Sequence, residues 1–346
     1  MRYLGEGIFP SPEKIHVGGF LMKKYFTLLI LFLLVPLSSF GSAQSNILIK
    51  ATSPFPEGHI ITQTMIEFKN IIEQETQRRI KFELSIAKDT EEQANERCSK
   101  GEVDMQFTGG RAIEVFAPQY FFINAPFVLK DYEHFFRIMK GPIGEKAKEQ
   151  ILKNGNMYTL GYLYRGYRQM TSNKPILSLK DLEGLKLRLP VVPTWIKVWE
   201  ALGVKAVPVP LTGLYQALKD GTAEASEGDL TQISGYKLYE VQKYLIITNH
   251  LVSFGWVHMY KPTFDKLSKG YQELFVKTAE KVCDTATKKL IASEDDILRM
   301  LMKNGMTVIY LDDKTMTQIR EKAKPAIEEL FRTTWPVTTW EEILKQ

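Results

Sequence analysis

Two arginines sit where this chain could hold an acid. The first lies in Asp181-Leu182-Glu183-Gly184-Leu185-Lys186-Leu187-Arg188-Leu189-Pro190. The segment reads as a polar turn, a bend at Gly184, a short strand and a stop. Leu185, Leu187 and Leu189 alternate with Lys186 and Arg188, the period of a strand with one apolar face. Pro190 has no N–H to give a ladder, which places Arg188 near the strand's carboxyl end. In open α/β sheets, ligands sit outside those ends. A guanidinium held there is a planar fork for a carboxylate or phosphate. On this strand alone a second reading stays open, an arginine on a solvated edge making a weak surface pair. The other arginine, Arg168, lies in a second strand-like run, Gly166-Tyr167-Arg168-Gln169-Met170-Thr171-Ser172-Asn173.

Other chemistries find little support. The sequence has no GxxxxGK[ST] or GxGxxG phosphate loop and no GxSxG or HExxH signature. The Thr108-Gly109-Gly110-Arg111 turn reads as an ordinary turn, although its N–H groups could face an anion. Five histidines are scattered, and His59 has no second ligand spaced to share a metal. Cys98 and Cys283 fall in helix-like stretches outside any CxxC spacing, so buried thiols are expected, with a disulfide left open. No cofactor and no metal are expected. A net charge of +5 over 346 residues, without a basic block, gives no reason to expect nucleic acid.

The elements that must carry these residues alternate. Residues 46–51 read as a strand, 61–75 as a helix, 79–84 as a strand, 90–99 as a helix and 103–107 as a strand. That alternation indicates βαβ units and a mostly parallel sheet. Strands are expected at 158–164, 166–173 and 251–260, with 225–228 a loop or strand end. The longest helical pattern runs from Lys269 to Asn304, about 54 Å if unbroken, long enough to lean on two domains. A last helix is expected over 316–331, with Trp335 and Trp340 in a polar tail. With 44% apolar and 25% charged residues, the chain has ample core for two ordinary domains.

The N-terminus carries a targeting pattern. Lys23-Lys24 precede an apolar run, Tyr25 to Leu37, followed by small residues through Ala43. This is a basic region, an apolar region and a cleavage region, so residues 1–43 read as a signal peptide cut near Ala43-Gln44. Residues 1–21 fit such a peptide poorly, and Met22 is the expected start. The apolar run is too short for a stable membrane span. The mature chain is therefore expected free in an extracytoplasmic space, without a membrane anchor.

The ordered motifs resemble a known family. The Arg168 and Arg188 runs, together with Leu214-Tyr215-Gln216-Ala217-Leu218-Lys219-Asp220-Gly221, Tyr239-Glu240-Val241-Gln242-Lys243-Tyr244, Asn249-His250, Gly101-Glu102-Val103-Asp104-Met105 and Ala125-Pro126-Phe127, are similar to the solute-binding proteins of TRAP transporters, of the dicarboxylate-type branch. The likeness covers essentially the whole mature chain and makes its extracytoplasmic space the periplasm. It implies a type II-like periplasmic-binding-protein fold, with two α/β lobes joined by crossing strands, braced by a long helix and closing on a small organic acid. Lobe I would take 44–165 with 254–292, and lobe II 166–253 with 293–346.

The position matching Arg188 supplies the family's main carboxylate clamp, and that matching Arg168 commonly adds a second cationic contact. The partners implied are a small carboxylate ligand and the two permease subunits of a sodium-driven transporter. Tyr215, Trp195 and Trp256 are candidates for the cleft wall, although aromatics of this kind are more often core. Glu227 is a candidate acceptor for a ligand hydroxyl or amine or, equally, a solvated loop carboxylate. Two departures stand out. Gly228 occupies the position of a ligand-reaching Asn, and Gly213 replaces a commonly acidic residue. The alternatives are a binding module of the same fold serving a sensor or another importer and, more remotely, a secreted enzyme.

Overall fold

The computed structural model describes residues 46–346; the expected signal peptide lies outside the described residues. Nine strands form one sheet: β1 (Ile47–Ser53), β2 (Ile80–Ile86), β3 (Met105–Thr108), β4 (Met157–Ser172), β5 (Lys186–Leu189), β6 (Lys205–Pro208), β7 (Ala225–Asp229), β8 (Tyr244–Tyr260) and β9 (Thr307–Tyr310). Their order is β2-β1-β3-β8-β4-β7-β5-β6, with β9 beside β8. The β1/β2, β1/β3, β5/β6, β5/β7 and β8/β9 pairs are parallel. The β3/β8, β4/β8 and β4/β7 pairs are antiparallel. Parallel βαβ units thus make the two flanks, and an antiparallel pair of long strands makes the middle, the two-lobed α/β arrangement expected.

The middle differs from the sequence reading in both of its long strands. Residues 157–172 form one strand of 16 residues rather than two. The interruption expected near Gly166 is an irregularity: the register against β8 shifts between Tyr164 and Tyr167. Gly166 has φ +97°, a conformation side chains rarely adopt. An extra residue there bends the strand and strengthens its twist without ending it. Likewise β8, from Tyr244 to Tyr260, joins without a break the segments before and after His250 that read separately.

The long helix spans Lys269–Lys303, 35 residues, and starts with the Ser268 side chain accepting from the Tyr271 N–H. Its length, about 52 Å, matches that of β4, about 53 Å. It lies along β4. Added to Gly161, a Cβ would come within 3.1 Å of Cys283 Sγ, so the glycine lets the helix approach closely there. Farther along, Thr287 Oγ1 accepts from the Tyr164 N–H. Phe275, Ala279, Val282 and Cys283 pack with β1, β3 and the Ile60–Glu75 helix in one core cluster. Leu301 packs with Leu214, Leu218 and Leu245 in another. The helix therefore braces both flanks. Cys98 and Cys283 are buried, free thiols in different clusters.

The C-terminus is more ordered than a polar tail. Trp335 is buried against Phe122 and Phe331. Trp340 opens a helix, Trp340–Lys345, capped by a reciprocal Thr339–Glu342 pair. Among the described residues, no helix is long and apolar enough to cross a membrane.

Candidate functional site

β7 is the strand that gathers the site. It is buried along its whole length. On one side Arg188 of β5 is in register with Ser226, and on the other Arg168 of β4 is in register with Asp229. Two arginines from different strands are thereby brought to either side of Glu227. A small cavity of about 60 Å³ opens beside them, lined by Arg188, Arg168, Arg165, Arg111, Trp195 and Gln232 among others. At roughly 10–15 Å³ per water position, this is space for a small molecule rather than a polymer.

Arg188 is almost fully buried, with 1% of its surface exposed. Its Nε and Nη2 donate to the Val209 carbonyl at 2.9 and 2.6 Å. Val209 follows β6, the parallel neighbour of β5, so two strand ends fix the guanidinium plane. No carboxylate of the described residues forms an ion pair with Arg188, and its Nη1 side is left unengaged. Burial lowers its pKa to about 10, with Glu227 opposing and Arg168 reinforcing that shift. The group stays cationic at neutral pH.

Arg168 is held differently. Its Nε and Nη2 both donate to the Glu227 carboxylate, the second at 2.7 Å, and Nη2 also reaches the Glu227 carbonyl at 3.1 Å. Its guanidinium lies 5.1 Å from the Trp195 ring, a cation–π contact. Glu227 also meets His250 Nε2 at 3.2 Å, and His250 Nδ1 is 2.8 Å from Thr248 Oγ1. Burial alone would raise the Glu227 pKa, but Arg168 and His250 together bring it down to about 2. Arg165 makes a second buried pair: its Nε and Nη2 donate to Asp229 Oδ2 at 2.9 and 2.6 Å. Arg165 also stacks over Phe55, whose ring lies on that of His59. His59 caps the Ile60–Glu75 helix through Nδ1, and burial holds it neutral, with its pKa down to about 3.

The remaining walls come from both flanks. The Trp195 indole N–H donates to the Asn124 carbonyl at 2.6 Å. Arg111 pairs with Glu92 and Glu114 and donates to the Val191 carbonyl at 3.0 Å. Glu91 Oε1 accepts from the Arg111 N–H, and desolvation lifts its pKa. The turn before Arg111 is tightly packed: a Cβ on Gly109 would lie 2.8 Å from Arg165 Nη1, and one on Gly110 would lie 2.5 Å from the Asn124 amide.

Of the residues singled out in the sequence, Arg188, Arg168 and Trp195 line the cavity together. Glu227 is buried behind Arg168 rather than offered to a ligand. Tyr215 is not among the lining residues; its hydroxyl donates to Glu240 at 2.7 Å. The reason is helical geometry: Leu214, Ala217 and Leu218 form the buried face of that helix, and Tyr215 falls beside it. Trp256 is core, stacked on His258. Arg165, Arg111, Asn124 and Gln232 were not anticipated. Among the described residues no group of three His, Cys, Asp or Glu is placed to hold a metal ion.

A fixed cation in a small cavity between two α/β flanks defines a solute-binding protein rather than a surface-pairing domain. The chain belongs to the bacterial extracellular solute-binding protein family 7, whose family model matches residues 51–334. A solute-binding protein of Roseobacter denitrificans is 30% identical over 240 residues, 67% of this chain and 74% of that one. The sialic acid-binding periplasmic protein SiaP of Vibrio cholerae is 28% identical over 234 residues, 68% of this chain and 72% of that one. Among solved structures, a TRAP periplasmic solute binding protein from Roseobacter denitrificans with bound L-galactonate has a TM-score of 0.78 at 26% identity, covering 87% of this chain and 99% of that chain. One from a Polaromonas species, bound to D-erythronate, has a TM-score of 0.79 at 25% identity, covering 86% and 97%.

Proposed function

We propose that the chain captures a small hydroxylated carboxylate, of the acid-sugar class, and delivers it to the membrane permease of a TRAP transporter. The observation that carries this reading is the buried Arg188 guanidinium with no carboxylate partner among the described residues. A buried charge left unpaired is costly, so the site favours an anion arriving from solution. Arg188 is the main clamp. Arg168, already neutralised by Glu227, is the secondary cation, and Trp195 forms the adjoining wall.

The cavity also carries acceptors and neutral polar groups, including Glu91, Asn124 and Gln232, which suit ligand hydroxyls rather than a second carboxylate. Acid sugars bound to proteins of this fold support the same class. The protein acts outside the cytoplasm after its signal peptide is removed, as a carrier and not as an enzyme. Its lobes meet at the bend near Gly166, with 44–165 and 254–292 in one and the remainder of the mature chain in the other.

The test is isothermal titration of the mature protein with D-erythronate, L-gulonate and L-galactonate, in wild type and Arg188→Ala. Truncating one partner of a buried bidentate pair costs ~2–5 kcal/mol, roughly 30- to several-thousand-fold. Binding is expected in wild type and lost in the variant, with the melting profile retained. Near-normal affinity in Arg188→Ala would sink the reading.

A further inference from the structure

Gly228 stands where the sequence resemblance would place a ligand-reaching side chain. The space is not empty. A Cβ added to Gly228 would lie 2.6 Å from Gln232 Nε2 and 3.0 Å from its Cδ. The Gln232 amide therefore occupies the volume that any side chain at 228 would claim. Gln232 is 2% exposed and lines the cavity with Arg168, Arg188 and Trp195.

Its backbone is fixed, because the N–H donates to Asp229 Oδ1 at 2.9 Å and so caps the Leu230–Gly235 helix. Its amide is barely used. Nε2 reaches only the Glu227 carbonyl, at 3.5 Å, the outer limit of a hydrogen bond. Its Oε1 has no partner among the described residues. A cavity-lining primary amide that spends almost none of its hydrogen-bonding capacity within the protein keeps a donor and an acceptor available to what enters the cavity.

We infer that Gln232 is a specificity-determining contact, reading the hydroxyl next to the ligand carboxylate. The guanidinium of Arg188 holds the carboxylate. A carboxamide offers both a donor and an acceptor, which matches a hydroxyl, itself both acceptor and donor. Gly228 is the permissive half of the device, since its missing side chain admits the Gln232 amide. The inference rests on the proposed carboxylate function and adds the chemical feature that the site selects.

The experiment compares D-erythronate, L-gulonate and L-galactonate with their 2-deoxy counterparts by titration calorimetry. Wild type should prefer the hydroxylated acid by about 10-fold, the scale of one buried hydrogen bond. Gln232→Leu, similar in size but unable to hydrogen-bond, should bring that ratio close to one. Gly228→Ala, which touches no ligand, should do the same by pushing the amide aside. A purely structural role would weaken both acids equally and leave the ratio unchanged, and that result in both variants overturns the inference. A wild-type ratio near one also overturns it. Arg188-dependent binding with unaltered discrimination removes this inference alone. No binding of any acid in the series removes it and the proposed function together.

Discussion

Arg168 and Arg188 face one cavity from strands on either side of β7, yet they are held in opposite ways. Arg168 is locked to Glu227 by two charge-assisted bonds, just as Arg165 is locked to Asp229. Arg188 is aimed by a neutral carbonyl and keeps its charge uncompensated by any close carboxylate. Neutralised pairs stiffen the floor of the site and contribute little net attraction. The cation oriented without a counter-charge supplies the attraction. Counting arginines would assign all of them one role, whereas their partners divide them into scaffold and hook.

The comparison is broken most directly by removing carboxylates. Glu227→Ala leaves Arg168 buried and unpaired and should cost ~3–5 kcal/mol of stability, read as a shift in the urea midpoint. Arg188→Ala should leave that midpoint nearly unchanged while abolishing binding. Comparable losses of stability in the two variants would dissolve the distinction. Arg188→Lys keeps the charge but not the fork. It should weaken binding by ~1–3 kcal/mol, less than the alanine variant, as measured by titration.

Acid should expose the scaffold next. The folded pKa of Glu227 is depressed to about 2, so its contribution is complete above the usual carboxylate range and is lost as pH falls toward 2. His59 is held neutral with its pKa at about 3, so its protonation in the unfolded chain takes stability away as pH falls from 6.5 toward 3. Both act in one direction, and melting temperature should decline steadily below about pH 6.5. A Glu227→Gln variant should show a shallower decline; an identical slope would remove Glu227 as a cause. The smallest effect is expected for Trp195→Phe. It loses the hydrogen bond to the Asn124 carbonyl and part of the cation–π contact, about 1 kcal/mol, read in the same melts.

Much of the architecture was legible because it depends on local pattern. The alternating strands and helices, the long helix and the Arg188 strand ending at Pro190 all follow from periodicity and from proline. The cavity's other arginine on β4 was not legible. Arg165 and Arg168 are three apart, and in a regular strand they would point to opposite faces. The register shift at Gly166 changes the parity and lets both reach carboxylates of β7. Gly166 itself was the only signal. Arg111, Asn124 and Gln232 arrive from separate segments, and no spacing in the chain announces their meeting. Tyr215 shows the converse: a motif residue drawn toward Glu240 because its own helix buries other positions.

The pairing of β4 with β8 also bears on how the chain reaches this state. The two strands share the longest ladder in the sheet, yet they lie far apart along the backbone. The helix that packs on them follows later still, from residue 269. Neither flank can complete its packing until these late segments exist. Such long-range closure makes for slow, concerted maturation rather than sequential assembly of one flank and then the other. A nascent or truncated chain ending before residue 244 lacks its central partner strand and stays open.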